Sequence, residues 1–239
     1  MKVFVGTSGW LYDWNEDGTL DWYVENSGLN AVELNASFYR FPFQNQVKSW
    51  KRKSKSLRWA IKVHRSITHL RKFGERAYGI WDKFKNLFNP LEDLIDFYLF
   101  QLPPNYSCRE ESLKNIERFY LYTDLGKRFA IEFRHPSCFK DDIVKWAEEF
   151  GITLVSIDSP IARWIVSSNK IVYLRLHGSH VWYGHDYSRE ELEEIRAELE
   201  RLEPEAIYVF FNNNHWMLEN ARLMKIMLEN HGPLGTDFK

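Results

Sequence analysis

At 239 residues, 44% of them hydrophobic, the chain can form one large domain or two small ones around a sizeable core. A formal net charge of −1 supplies no global positive field for nucleic acid or an anionic membrane, so any anion binding has to be local. No apolar stretch reaches the roughly 18 residues of a membrane span, and the start lacks a basic segment followed by an apolar run; the expectation is a cytoplasmic protein, without membrane contact, whose Cys108 and Cys138 are free thiols.

Eight short β-like runs follow one another at 3–6, 31–35, 59–64, 97–101, 129–134, 152–158, 171–177 and 207–212. Segments of helical spacing separate most of them. Residues 114–120 and 141–147 place apolar side chains three and four apart. Ser188 followed by Glu191 forms the pattern of a capping box, opening a charged helix that runs to about Arg201 and is stopped by Pro204. Residues 216–228 supply a last helix. Only about a dozen residues separate the sixth and seventh runs, and 165–172 reads as a hairpin, so the helix there is expected to be short or missing. Strands alternating with helices imply a parallel sheet, and eight of them imply closure. The fold class is therefore α/β: a single (β/α)8 TIM-like barrel of eight parallel strands, one domain over 1–239.

In such barrels the site lies at the carboxyl ends of the strands, and polar residues crowd those ends here. They are Thr7 and Ser8, Glu33 and Asn35, Lys62 and His64, Gln101, Glu132 and Arg134, Asp158, Arg175 and His177, then Asn212 and Asn213. In four runs a charged residue and the polar residue two positions on share one face of the strand. Turned outward they would lie unpaired in an apolar layer, so they are expected to face the barrel axis, where Glu33, Lys62, Glu132 and Arg175 sum to zero charge. The same four residues would also suit an interior salt-bridge layer with no chemical role.

The loops add aromatics: residues 9–14 after the first strand, 181–187 after the seventh and 214–216 after the eighth, which are neighbouring sectors of a closed barrel. Flat rings there would stack on bases or sugars, or simply pack the loops. His177, Gly178 and Ser179 lie where many barrels hold a phosphate. The basic run 48–55 precedes the third strand and reads as a solvated helix end on the far face. His64, Arg65, His69, Arg71, Lys72 and Arg76 follow that strand, on the site side.

Eight stretches together resemble the YecE-like family, the domain of unknown function seventy-two: GTSGWLYDW (6–14), VELNASFYRFP (32–42), Lys62 with ITH (67–69), FQLPPNY (100–106), AIEFRHPSC (130–138), VSIDS (155–159), YLRLHG (173–178) and VFFNNN (209–214). They cover almost the whole chain in order. The resemblance implies a TIM-type barrel in one domain and leaves the activity open. Family members carry Trp where this chain has Cys138, which implies that the position packs rather than reacts.

The residues themselves suggest an enzyme acting on a small phosphorylated or nucleotide-like substrate. Glu132 is the candidate general acid or base, tuned by Arg134, Arg175 and Lys62, and His177 the second proton carrier. Glu33 with Asp158 would orient His177 or hold a divalent metal, although no clustered His spacing marks a metal site. Lys62, His69, Gln101, Arg134, His135, Arg175, Trp10, Tyr12, Tyr39, Asn212 and Asn213 are the candidate substrate-binding residues. The alternatives are a nucleic-acid-binding protein that grips a single strand or damaged duplex, and a metabolite-binding or partner-binding barrel with structural charges. Nucleophile triads, phosphate-binding loops and dinucleotide fingerprints are absent. Substrate, metal and oligomeric state stay open.

Overall fold

The computed structural model describes residues 1–230. Among them lie nine strands: β1 (Lys2–Thr7), β2 (Ala31–Leu34), β3 (Arg58–Lys62), β4 (Ile95–Gln101), β5 (Phe129–Glu132), β6 (Thr153–Ser159), β7 (Ala162–Trp164), β8 (Ile171–Leu176) and β9 (Ala206–Phe211). All but β7 pair in parallel in the order β5-β4-β3-β2-β1-β9-β8-β6, and β5 pairs with β6 to close a TIM-like barrel. The helices around it are α1 (Leu20–Asn26), α2 (Gln44–Lys53), α3 (Tyr78–Phe88), α4 (Glu110–Thr123), α5 (Asp141–Phe150), α6 (Arg189–Arg201) and α7 (Met217–Glu229). No described helix is long and apolar enough to cross a membrane.

Local chemistry sets these elements. Ser188 Oγ accepts from the Glu191 amide at 3.2 Å while Glu191 Oε2 accepts from the Ser188 amide at 2.7 Å, which satisfies two otherwise orphaned donors at the start of α6. The basic run ends α2, with Lys51, Arg52 and Lys53 in its last turn, where cations complement the helix dipole. Gly6 allows β1 and β2 to approach: a Cβ there would lie 2.2 Å from the Ala31 carbonyl oxygen.

Two apolar layers result. The larger lies between sheet and helices; the smaller fills the lower barrel with Ala31, Ala60, Phe97, Leu99, Ala130, Val155, Tyr173, Tyr208 and Phe210. Small residues on β2, β3 and β5 make room for the rings of β4, β8 and β9, whose centroids lie 4.8–5.1 Å apart. This layer also fixes which residues look inward. Two positions beyond Ala31, Ala60, Leu99, Ala130, Tyr173 and Phe210 come Glu33, Lys62, Gln101, Glu132, Arg175 and Asn212, so all six share the inner face.

Between β6 and β8 no helix forms, as expected, but the hairpin is not at 165–172. It is made by β6 and β7, antiparallel from Ile157↔Trp164 to Ser159↔Ala162, around a turn at Pro160 and Ile161. Pro160 has no N–H to continue a ladder, so the chain reverses there. β8 already occupies one edge of β6 at Ile157 and Asp158, so β7 takes the other edge, toward β5. The β5–β6 pairing is accordingly confined to Ala130↔Thr153 and Ile131↔Leu154, and the barrel wall parts above it.

The free-thiol expectation is overturned. Cys108 and Cys138 are joined by a disulfide, 30 residues apart in sequence with Cα atoms 5.2 Å apart. They meet because β4 and β5 are neighbours, so the loop after one lies beside the turn after the other.

Candidate active site

The inward charges form one connected network at the mouth. Arg175, fully buried on β8, donates to both Glu33 oxygens, at 2.9 Å through Nε and 2.6 Å through Nη2, and its Nη1 reaches Glu132. Glu33 also accepts from Ser8 Oγ at 2.8 Å and from the Tyr173 hydroxyl at 2.6 Å, which leaves it no capacity for a metal. Arg134 forms an ion pair with the other Glu132 oxygen. Two guanidiniums and two carboxylates thus cancel. Burial pushes the Glu132 carboxyl up, but Arg134 and Arg175 together outweigh it and hold the group well below the usual carboxylate range. Glu132 is therefore held ionised, so of the general acid or base roles expected of it the geometry disfavours the acid.

His177 is the upper neighbour of Arg175 on the same face. Its Nε2 lies 2.9 Å from Arg134 Nη2, a group that only donates, so Nε2 accepts and the proton resides on Nδ1. The Asn212 amide nitrogen Nδ2 lies 3.2 Å from that Nδ1, so a proton there requires the amide turned end for end, with its oxygen as the acceptor. Burial, then Arg134 and Arg175, push the His177 imidazole well below its ordinary value, so it is neutral with its lone pair engaged.

Lys62 stands apart from the pairing. The mouth's ion pairs run Arg134–Glu132, Glu132–Arg175 and Arg175–Glu33, and Lys62 takes part in none. Its Nζ lies 4.5 Å from the centroid of the Phe38 ring, and the His69 ring meets the same ring edge-on at 4.9 Å. Burial and next the Arg175 guanidinium push the Lys62 ammonium down to about 7, against the pull of Glu132 and Glu33. Burial and then Lys62 itself push His69 to about 4.

Two cavities flank this centre. One, of about 550 Å³, lies between the loops after β1 and β2 and is lined by Ser8, Trp10, Tyr12, Asn35, Phe41 and Trp50 among others. The other, of about 350 Å³, opens where β5 and β6 part and is lined by Gln101, Pro104, Arg134, Ile161, Trp182 and Tyr183. The Arg134 guanidinium lies 4.7 Å from the Trp182 ring centroid, so the loop after β8 caps the network with an aromatic face.

Several sequence candidates are placed elsewhere. Val155 faces inward, so Asp158 points out of the barrel: its carboxylate accepts from Ser179 Oγ at 2.6 Å and the Tyr187 hydroxyl at 2.7 Å and reaches neither the His177 ring nor Glu33. Tyr187 in turn accepts from the Gly178 amide, so the 177–179 stretch spends its donors internally rather than on a phosphate. Asn213 is likewise one position off the inward face and ties His185 to Asn220. Trp10 is 8% exposed, packed edge-on against Trp50 and Trp59 at 5.8 Å, and belongs more to the core than to a stacking rim. His135 caps its own turn through the Ser137 amide at 3.1 Å, and Tyr39, 70% exposed, projects into solvent. Among the described residues no group of three or more His, Cys, Asp or Glu could hold a metal ion. Tyr173 and Phe38 were missed; Tyr173 lies two positions before Arg175, and that spacing alone places it on the same face.

Residues 4–236 match the family described as protein of unknown function DUF72. No curated protein matches the chain. Among solved structures, a DUF72 family protein from Enterococcus faecalis superposes with a TM-score of 0.83 at 20% identity, covering 97% of each chain. One from Thermotoga maritima does so with a TM-score of 0.80 at 24% identity, covering 96% of this chain and 98% of its own.

Proposed function

The chain belongs to the DUF72 family of proteins of unknown function, and from the chemistry of its mouth we propose that it is an enzyme acting on a small phosphorylated or nucleotide-like molecule by acid–base chemistry. The observation that carries this reading is Lys62, a buried amine on the inner face of β3 outside the charge-balanced network, at a mouth whose two cavities are bordered by Ser8 and Asn35 and by Gln101 and Arg134. With Glu132 held ionised and His177 held neutral, Lys62 is the mouth group able to take and release a proton near neutral pH. Arg134 lines the cavity at the β5–β6 opening and is the anchor for the anionic group, held flat by Glu132, His177 and Trp182. Gln101 lines the same cavity, and Tyr12 and Ser8 line the other, where a sugar or base would lie.

The test is ligand-induced stabilisation with pairs of compounds that differ only in a phosphate: glycerol 3-phosphate against glycerol, and adenosine monophosphate against adenosine. The phosphorylated member should raise the melting temperature, and Arg134→Met should erase the difference. Equal behaviour of both members of every pair would remove the phosphate-binding reading.

A nucleic-acid reading draws on the exposed Arg65, Arg71, Lys72 and Arg76 after β3. It predicts tryptophan quenching by a short single-stranded oligonucleotide that weakens steeply with salt; quenching independent of salt, or none, counts against it.

A further inference from the structure

Resting on the reading of the mouth as a substrate site, we propose that Lys62 is a nucleophile that forms an imine with its substrate, and that the substrate class is small anionic aldehydes and ketones. The placement carries the argument. Lys62 is 9% exposed on the inner face of β3, its ammonium set against the face of Phe38 rather than against a carboxylate. Both buried carboxylates of the mouth are already matched by guanidiniums. Ser37, which lines the larger cavity, donates to the Lys62 carbonyl at 2.7 Å, and β4, next to β3, carries Gln101 at the edge of the smaller one. Lys62 itself lines neither cavity; it stands on β3, between β2, whose following loop borders the larger one, and β4, whose Gln101 borders the smaller, so a substrate with its anionic end at Arg134 has to meet the amine from the mouth between them.

The charged groups around the amine pull in opposite directions. Burial, Arg175 from β8 and Arg134 from just beyond β5 disfavour the ammonium, while Glu132 from β5 and Glu33 from β2 oppose them, and the balance comes to about 7. His69, from the turn after β3, is held mostly neutral and adds no positive charge at that pH. Desolvation together with a cationic neighbour is a general way to obtain a free lysine amine at neutral pH. In the step itself the amine lone pair forms a C–N bond to the carbonyl carbon, giving a carbinolamine. Both amine hydrogens then leave with the former carbonyl oxygen as water, and a C=N bond remains. Protonation of that nitrogen gives an iminium, which withdraws electrons from the adjacent carbon and so activates a neighbouring C–H or C–C bond.

The experiment uses the full chain with dihydroxyacetone phosphate and, separately, pyruvate, each at pH 7.5 with sodium borohydride added to reduce any imine to a stable secondary amine. Peptide mass mapping then locates the adduct. Labelling at Lys62 should exceed that of the exposed lysines by on the order of tenfold or more, because those remain ammonium at this pH. It should follow the amine's titration and vanish in Lys62→Met and Lys62→Arg. Labelling spread over surface lysines with no excess at Lys62 overturns the proposal. Glycerol 3-phosphate, which has no carbonyl, separates the two readings. If it stabilises the protein and yet neither carbonyl compound labels Lys62, the imine falls and the phosphate site stands. If it does not stabilise the protein but pyruvate labels Lys62, the amine chemistry stands and the phosphate reading falls.

Discussion

Replacing Arg175 by Met tests whether the mouth is held together as a network. Arg175 is fully buried and serves Glu33 through Nε and Nη2 and Glu132 through Nη1. The thioether keeps much of the side chain's bulk, but two buried carboxylates then face each other with Arg134 as the remaining guanidinium. Removing one partner of a buried ion pair costs about 3–5 kcal/mol. For a protein of this size each kcal/mol lowers Tm by about 2–4 °C, so calorimetry at pH 7.5 should show a fall of roughly 6–20 °C. The pH dependence is equally specific. In the native protein Glu132 has a folded pKa below its unfolded value, so its stabilisation is present above about pH 4.5 and is lost as pH falls through the folded value. In the variant one of the two lowering charges is gone, so the carboxyl takes up a proton at higher pH and the deficit against the native protein narrows between pH 7 and pH 4.5. A deficit below about 1 kcal/mol at pH 7.5, or one that stays constant to pH 4.5, would refute the reasoning.

Asp158→Ala removes the acceptor shared by Ser179 and Tyr187, and is expected to cost about 1–3 kcal/mol and to raise amide hydrogen exchange across 178–187 while leaving β2 protected. Reducing the Cys108–Cys138 disulfide, which closes a loop of 30 residues, should lower stability by about 3.6 kcal/mol on the chain-entropy account; a urea titration with and without reductant measures it. Lys62→Met should be more stable than the native protein at and below pH 7. The folded pKa of Lys62, about 7, lies below the unfolded value of about 10.4, so the unfolded chain binds more protons between them and native stability rises with pH across that window. The advantage of the variant should therefore fade as pH rises from 7 toward 10, and urea midpoints over that range report it.

The barrel and most of the inward charges were legible because half of the code is parity. A charged residue two positions from a small or aromatic inner residue, as Glu132 is from Ala130 and Arg175 from Tyr173, can only face the axis once the strand is recognised. Asp158 and Asn213 were misplaced for the same reason. Both faces of β6 are buried, so the run 153–159 shows no alternation from which to choose a face, and Asp158 fell one position off the inner one. The disulfide needed strand adjacency, which spacing along the chain does not display. Glu132 and His177 were correctly placed at the mouth, but their protonation depends on which partners they meet: two guanidiniums on one, and Arg134 on the lone pair of the other. Residue type alone marks them as proton carriers; geometry holds one ionised and the other neutral, and leaves Lys62, which forms no carboxylate ion pair, as the group on which the proposed chemistry rests.

The most direct measurement is the titration of Lys62 itself. Protein labelled with 13C at lysine Cε, with the Lys62 resonance assigned by its absence in Lys62→Arg, would be followed by NMR from pH 5 to 11. The account predicts a midpoint near 7. A midpoint above about 10, that of a solvated lysine, would contradict it and remove the amine from the chemistry of the mouth.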